Sequence, residues 1–145
     1  MNGLDLHMDM VDDHNVDYET LLPLYYQFNY HGINFDCEVI NSENYGSYDI
    51  NLTAQIGYLP YSSENKSRRE KILKNFSHLM AHNLITLDHH CNLTFPVSTT
   101  INGEINAKKV METILYTLLD VKEVLEIIAD TMNVLSIEDG TNQKA

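Results

Sequence analysis

The longest regular pattern in the chain is a series of apolar residues at three- and four-residue steps between Lys108 and Met132. No glycine or proline interrupts the series, so the pattern predicts one long helix, with Leu118 and Leu125 in the core. Its apolar positions are Val110, Met111, Ile114, Leu115, Leu118, Leu119, Val121, Val124, Leu125, Ile127, Ile128 and Met132. Together they form a stripe wider than the roughly 100° that one packing surface needs. The helix is therefore either a well-buried core helix or one that packs on both its own sheet and a second chain.

Two stretches alternate between apolar and polar residues, which is the period of a strand with one buried and one wet face. The first runs from Ile33 to Val39, and the second runs from Tyr48 to Ile56 and stops before Pro60. Residues 41–46 between them are turn formers, so the two strands are predicted to pair antiparallel. The wet face of the first strand is acidic.

Residues 17–31 allow two interpretations. In the helical interpretation, one face of the helix contains Leu21, Leu22, Tyr25 and Phe28. Gly32 would then follow as a C-terminal cap, and Pro23 would stay within the first turn. The alternative is a strand, because residues 26–30 also alternate and His31-Gly32 could close a two-residue hairpin. We favour the helix.

The middle of the chain predicts a second helix, beginning between Ser62 and Asn65, followed by two strands. The buried stripe of this helix would contain Ile72, Leu73, Phe76, Leu79 and Met80. Ser67 and Glu70 have the spacing of a capping box. Residues 84–87 and 93–97 read as the strands, and Asn106 can cap the long helix. The fold class is therefore α+β: an antiparallel sheet of about four to five strands with an N-terminal helix, a middle helix and a long C-terminal helix.

Length and composition favour one domain. The 145 residues fit the usual size of a single domain, and the sequence has no internal repeat and no linker rich in proline or glycine. We assign residues 1–16 to an acidic N-terminal arm, residues 17–135 to a single α+β domain and residues 136–145 to a flexible tail.

The charge of the chain is strongly negative and uneven. The formal net charge is −12, and the first 65 residues contain eleven Asp and Glu but no Lys or Arg. This balance argues against binding to nucleic acid, whose phosphates need cationic side chains. It suits either a merely soluble surface or a face that attracts a basic partner. No run approaches the roughly 18 apolar residues of a membrane span, and the N-terminus lacks the pattern of a secretory signal. We therefore expect a cytoplasmic protein with Cys37 and Cys91 as free thiols.

Candidate chemistry is confined to a group of histidines. His78 and His82 are four residues apart on the predicted middle helix, and His89 and His90 precede Cys91 in a turn. A transition metal could use such a set, but the spacing matches no strong zinc pattern and lysines crowd the same helix, so we favour solvent-exposed histidines over a metal site. The sequence also lacks a glycine-rich phosphate loop, a nucleophile elbow and a paired-carboxylate motif. We expect no catalysis, no cofactor and no bound metal.

The order of elements resembles that of the class I type III secretion chaperones and of the YbjN-like proteins, which share their fold. In both families a first helix ends near a glycine, as Tyr25 to Ile33 does here, and strands end near Leu-Pro, as at Leu59-Pro60. A middle helix, two strands and a long helix follow, the last corresponding to Ala107 to Met132. The resemblance covers about residues 17–132. It implies a small acidic cytoplasmic protein, commonly a homodimer, without cofactor or catalytic residues.

The resemblance leads to a functional expectation, because chaperone members wrap an extended segment of a secreted protein around their surface. We expect a protein-binding module that holds a secreted or basic polypeptide. The residues predicted to lie near the partner are Ile33, Phe35, Val39, Ile50 and Leu52. Those predicted for the homodimer interface are Leu115, Leu119 and Ile127. The alternatives are a YbjN-like regulatory protein of unknown partner and a metal-binding protein that uses the four histidines.

Overall fold

The computed structural model describes residues 17–144, with side chains described up to Leu135. A short 3-10 helix, Tyr18–Leu21, precedes three strands: β1 (Leu24–Tyr30), β2 (Ile33–Asn41) and β3 (Ser47–Tyr58). Then follow α1 (Ser62–Ala81), β4 (Thr86–Leu87), β5 (Asn92–Asn102), α2 (Ala107–Asp120) and α3 (Lys122–Lys144). The five strands form one antiparallel sheet in the order β1-β2-β3-β5-β4. The predicted α+β class is confirmed, and the predicted arm, residues 1–16, lies outside the described residues.

The predicted N-terminal helix is wrong. Only Tyr18–Leu21 is helical, with the Asp17 side chain accepting a hydrogen bond from the backbone of Glu19, and Leu24–Tyr30 is a strand. His31 and Gly32 have φ values of 51° and 84°, which is the two-residue turn that matches the twist of a hairpin. The aromatic residues of β1 favour a pleated strand, and pairing with β2 outweighs the helical spacing of the same residues.

The predicted long helix is also corrected, because it is two helices. Val121 leaves helical geometry (φ −105°, ψ 17°) between α2 and α3. Just before it, the hydroxyls of Thr113 and Thr117 each donate to the carbonyl four residues earlier, at 2.7 Å. Such bonds compete with the helical ladder and often bend helices. α3 runs on to Lys144, through the segment that the sequence suggested as a tail.

The start of α1 differs from the predicted capping box. The Glu64 carboxylate accepts a bond from the backbone N–H of Tyr61 at 3.1 Å and one from the hydroxyl of Tyr58 at 2.7 Å. The bond from Tyr58 and that from the backbone hold the pKa of Glu64 below its usual value. Asn65 then has extended geometry, and its side-chain oxygen accepts from the N–H of Arg68 at 3.0 Å. Asn65, rather than Ser67, is therefore the cap of the regular helix.

The described chain forms two compact units. The first comprises residues 17–54 and Pro96–Val121, and the second comprises Gln55–Phe95 and residues 122–144. In the first unit, the apolar positions of β2 and β3 and the row Val110, Ile114 and Leu118 on α2 are buried. In the second unit, α1 packs against α3, and both contribute buried side chains.

The two leucines predicted to be core are confirmed as such. Leu118 is 1% exposed and Leu125 is 5% exposed. None of the helices between residues 17 and 144 combines the length and the hydropathy that a membrane-spanning segment needs.

Candidate functional site: an open edge strand beside an acidic sheet face

The strand β1 lies at one edge of the sheet, with only β2 as its neighbour in the described chain. The register pairs Tyr30 with Ile33 across the two-residue turn, so this closing pair exchanges both backbone hydrogen bonds. In an antiparallel pair, hydrogen-bonded and non-hydrogen-bonded positions alternate. Tyr25, Gln27 and Asn29 are therefore non-hydrogen-bonded positions. Their N–H and C=O groups point away from β2, towards the open edge.

Within its own seven residues, β1 lacks the charges, prolines and bulges that discourage another strand from adding to an edge. Natural edges are blunted by charges, prolines, bulges or very short strands. The strand Leu24–Tyr30 has the sequence LYYQFNY, without a charged residue, a proline or a glycine, and its register with β2 is continuous. The opposite edge, β4, is only two residues long. Of the two edges, β1 is the one suited to accept a partner strand.

The side chains of β1 on the solvent side lie directly opposite two carboxylates of β2. Tyr25 pairs with Glu38, and Gln27 pairs with Asp36. The Gln27 amide donates to Asp36 at 3.0 Å. Asn51 on β3 donates to Glu38 at 2.9 Å and accepts a bond from the Ser98 hydroxyl at 2.8 Å. These cross-strand bonds tie the polar side chains of four strands into one layer.

This layer contains an open depression of about 570 Å³ on the solvent side of β1, β2 and β3. Six of the side chains that line this depression are referred to below as the acidic face: Tyr25, Gln27, Asp36, Glu38, Asn51 and Thr53. Tyr25 is 68% exposed and presents its ring at the margin next to the open edge. Because the first 65 residues contain no Lys or Arg, the three strands supply two carboxylates here and no cation. The acidic face therefore offers negative charge, neutral amides and one aromatic ring.

The other side of β1 is fixed by apolar packing. The rings of Phe28 and Phe35 stack at a centroid distance of 5.2 Å with an interplanar angle of 7°. The hydroxyl of Tyr26 is hydrogen-bonded at 2.9 Å to that of Tyr18, which is buried. Opposite Tyr26, burial and the nearby charge of Glu38 raise the pKa of the Cys37 thiol to about 12. The edge strand is thus anchored on one side, while no other strand of residues 17–144 pairs with its outer backbone edge.

The five residues predicted to bind a partner need correction. All of them, Ile33, Phe35, Val39, Ile50 and Leu52, are buried at no more than 6% exposure. They are the inward positions of β2 and β3, so they form the core and cannot contact a partner. The side chains that β2 and β3 expose are instead the polar positions between these five residues. The alternating acids on β2 were the signal for the accessible face, and the exposed edge of β1 had no local signal.

The three predicted dimer residues differ in exposure. Leu119 on α2 is 57% exposed and Ile127 on α3 is 41% exposed, whereas Leu115 is half-buried. The dimer itself stays a prediction. Exposed apolar side chains on both helices are compatible with it.

The histidines form two pairs rather than one cluster. The ring centroids of His78 and His82 are 4.4 Å apart, and those of His89 and His90 are 3.9 Å apart. The ring of His82 is also bound to the backbone carbonyl of His78 at 2.9 Å. Among residues 17–144, no group of three or more His, Cys, Asp or Glu side chains is arranged to hold a metal ion. Cys37 and Cys91 are both free thiols.

No protein-family model, curated protein or solved structure matches this chain. The resemblance to the secretion chaperones and the YbjN-like proteins therefore stays a prediction, and its first element, a helix ending near Gly32, is replaced by the hairpin of β1 and β2. The function has to be argued from the edge strand and the face beside it.

Proposed function

We propose that this protein is a binding module for a partner polypeptide, which it holds as an added strand against β1 without catalysis. The predicted resemblance to the class I type III secretion chaperones, which bind an extended polypeptide segment, supports this proposal. The observation that carries the proposal is the edge position of β1, which pairs only with β2 among the strands of residues 17–144. Strand addition uses main-chain hydrogen bonds for affinity and alternate side-chain contacts for specificity. The edge of Leu24–Tyr30 offers both.

The backbone of β1 supplies the affinity. Tyr25, Gln27 and Asn29 each direct one donor and one acceptor outward, so an added antiparallel strand can form about six backbone hydrogen bonds. The strand is held in place by its pairing with β2 and by the stacked rings of Phe28 and Phe35. A preformed edge loses little conformational entropy when a partner binds, which favours affinity.

We also propose that two copies of the chain associate through apolar side chains of the C-terminal helices. α2 exposes Tyr116 and Leu119, and α3 exposes Ile127 and Val134. Apolar side chains gain free energy when a second chain removes them from water. The homodimer is a separate part of the proposal and does not use the β1 edge.

A proline substitution tests strand addition directly. Gln27→Pro removes one outward N–H while leaving the hydrogen bonds to β2, because proline is tolerated where the N–H faces solvent on an edge strand. Gln27→Thr is the matched control, since it also removes the side-chain bond to Asp36 but keeps the backbone N–H. Both variants should fold, as thermal unfolding will show. Each is then used as bait in lysate of the source cells, beside the wild type.

The proposal expects one polypeptide to be recovered by the wild type and by Gln27→Thr, and to be depleted at least tenfold with Gln27→Pro. The recovered polypeptide, once identified, should protect the backbone amides of β1 from hydrogen exchange. Equal recovery by all three baits would contradict binding at this edge. So would recovery of only a small molecule or a metal ion.

A further inference from the structure

We infer that the segment held at β1 is an amphipathic cationic strand, with arginine or lysine at every second position and apolar residues between them. The inference rests on the proposed strand addition and names the chemistry of the partner. It follows from what lies on the two sides of the edge.

On the solvent side, an added strand would face the acidic face. Neighbouring strands lie roughly 4.8 Å apart, so side chains of the added strand would contact Tyr25 and Gln27 first. Long side chains reach beyond the nearest neighbour across a sheet. An arginine lying over the exposed Tyr25 ring gains a cation–π contact and directs its guanidinium towards Glu38, which is directly opposite Tyr25.

The charges on this side select a cation. Asp36 and Glu38 accept hydrogen bonds from the side-chain amides of Gln27 and Asn51, respectively, and neither of these two bonds brings a cation to the carboxylates. Two carboxylates separated by one residue on β2 also match the spacing of alternate side chains on an added strand. An acidic or phosphorylated segment would be repelled at the same positions.

On the other side of the sheet, the added strand would lie beside apolar and aromatic residues. Leu24, Tyr26 and Tyr30 are half-buried positions of β1 on that side. Cationic side chains there would lose water without finding a carboxylate, which is costly. Apolar or β-branched residues at the intervening positions would instead extend the existing packing.

A second copy of the chain fits this edge less well. The strand Leu24–Tyr30 contains no Lys or Arg, so it would bring no cation to Asp36 or Glu38. Pairing of two β1 strands would also place two acidic faces in one continuous sheet. Charge complementarity therefore favours a basic partner strand over self-association here.

The test uses capped synthetic peptides and fluorescence anisotropy with the full-length protein. The first peptide has arginine at every second position, with valine and threonine between. The second replaces each arginine by citrulline, which is neutral and has nearly the same shape. The third has the composition of the first but groups its arginines in one block. The protein variants are Asp36→Asn/Glu38→Gln and, as a control with the same loss of charge, Glu43→Gln/Glu104→Gln, whose carboxylates are exposed in loops.

The alternating arginine peptide should bind at least tenfold more tightly than the citrulline and blocked peptides. Asp36→Asn/Glu38→Gln should weaken its binding about tenfold, whereas Glu43→Gln/Glu104→Gln should change it less than twofold. High salt should weaken it as well, since the contacts are near the surface. Gln27→Pro should reduce the binding of every peptide that uses the edge.

The possible failures are distinguishable. If citrulline and arginine peptides bind equally and Gln27→Pro abolishes both, strand addition stands and the cationic partner is excluded. If the blocked peptide binds as tightly as the alternating one, the predicted spacing is wrong. If none of the peptides binds, the cationic segment is excluded, and strand addition is decided by the lysate experiment with Gln27→Pro. If the peptides bind but Gln27→Pro has no effect, strand addition at β1 fails.

Discussion

At the scale of single residues, burial decides what each of the two cysteines can do. Cys37 is 2% exposed, among the inward positions of β2, while Cys91 is half-exposed in the turn before β5. The thiolate, not the thiol, is the reactive form, and burial raises the pKa of Cys37 to about 12. Cys37 is therefore a neutral, apolar core residue under ordinary conditions.

We predict that native protein at pH 8 shows one rapidly alkylated thiol and a second that reacts only after unfolding. Cys91→Ser should remove the fast reaction, and Cys37→Ala should leave it unchanged. Equal rates for the two thiols in the native state would show that β2 is not buried as described. Mass spectrometry of the alkylated peptides assigns each rate.

The same thiol links stability to alkaline pH. An unfolded Cys37 would lose its proton near 9.0, whereas the folded one keeps it until about 12. Between these values the unfolded state binds fewer protons than the folded state, so stability falls as pH rises. Below pH 9.0 this contribution is fully present. Cys37→Ala should flatten the loss of stability above that pH in denaturant titrations.

At the scale of elements, strict alternation of polar and apolar residues predicted two strands correctly. The prediction failed where the same residues fitted both the helical period and the strand period. Ile33–Asn41 and Ser47–Tyr58 agree with the predicted strands because polar and apolar residues alternate without exception from Ile33 to Val39 and from Tyr48 to Ile56. In residues 17–31 the apolar positions fit a helix as well as a strand. Only the pairing of β1 with β2 resolves that ambiguity, and local patterns do not contain it.

The candidate site, too, could be predicted from the sequence only in part. The acids of the acidic face could be predicted from their alternation on β2, but the open edge could not. Whether a strand is at an edge depends on the order β1-β2-β3-β5-β4, which is set by packing of the whole sheet. The break at Val121 was also missed, since no glycine or proline marks it and the two threonine side-chain bonds depend on their rotamers.

The start of α1 offers a test at this scale. Asn65 accepts a hydrogen bond from the backbone of Arg68, whereas Ser67 lies within the helix. Asn65→Ala should therefore destabilise the protein by about 0.5–2 kcal/mol, the usual loss for a helix cap. Ser67→Ala is the matched control and should cost less than about 0.5 kcal/mol, as for exposed positions without such a role. Urea unfolding of both variants measures the difference, and the reverse order of effects would restore Ser67 as the cap.

At the scale of the whole molecule, charge and apolar surface are distributed differently along the chain. The first 65 residues carry a formal charge of −11 from eleven acids and no Lys or Arg, and they include the acidic face. The remaining residues have ten acids and nine bases, and they include the exposed apolar side chains of α2 and α3. The two proposed interactions thus use different parts of the sequence and different physical forces. A partner strand would respond to salt, whereas a homodimer through the helices would respond to apolar truncation.

The homodimer gives the last prediction. Wild-type protein at tens of micromolar should scatter light as a dimer, because Leu119 and Ile127 are 57% and 41% exposed and favour removal from water. Leu119→Asp or Ile127→Asp would place a charge in that interface and should give a folded monomer. Leu115 is unsuitable for this test, since it is half-buried and a charge there would also disturb folding.

Asn75→Asp adds the same charge at an exposed position of α1 and should leave the dimer intact. A monomeric wild type would exclude the dimer, and dimeric Asp variants would place its interface elsewhere. Because the β1 edge is separate from these residues, a monomer produced by Leu119→Asp should still bind the arginine peptide with unchanged affinity. Loss of both properties in one folded variant would mean that the dimer interface and the peptide site are coupled, contrary to the proposal that they act independently.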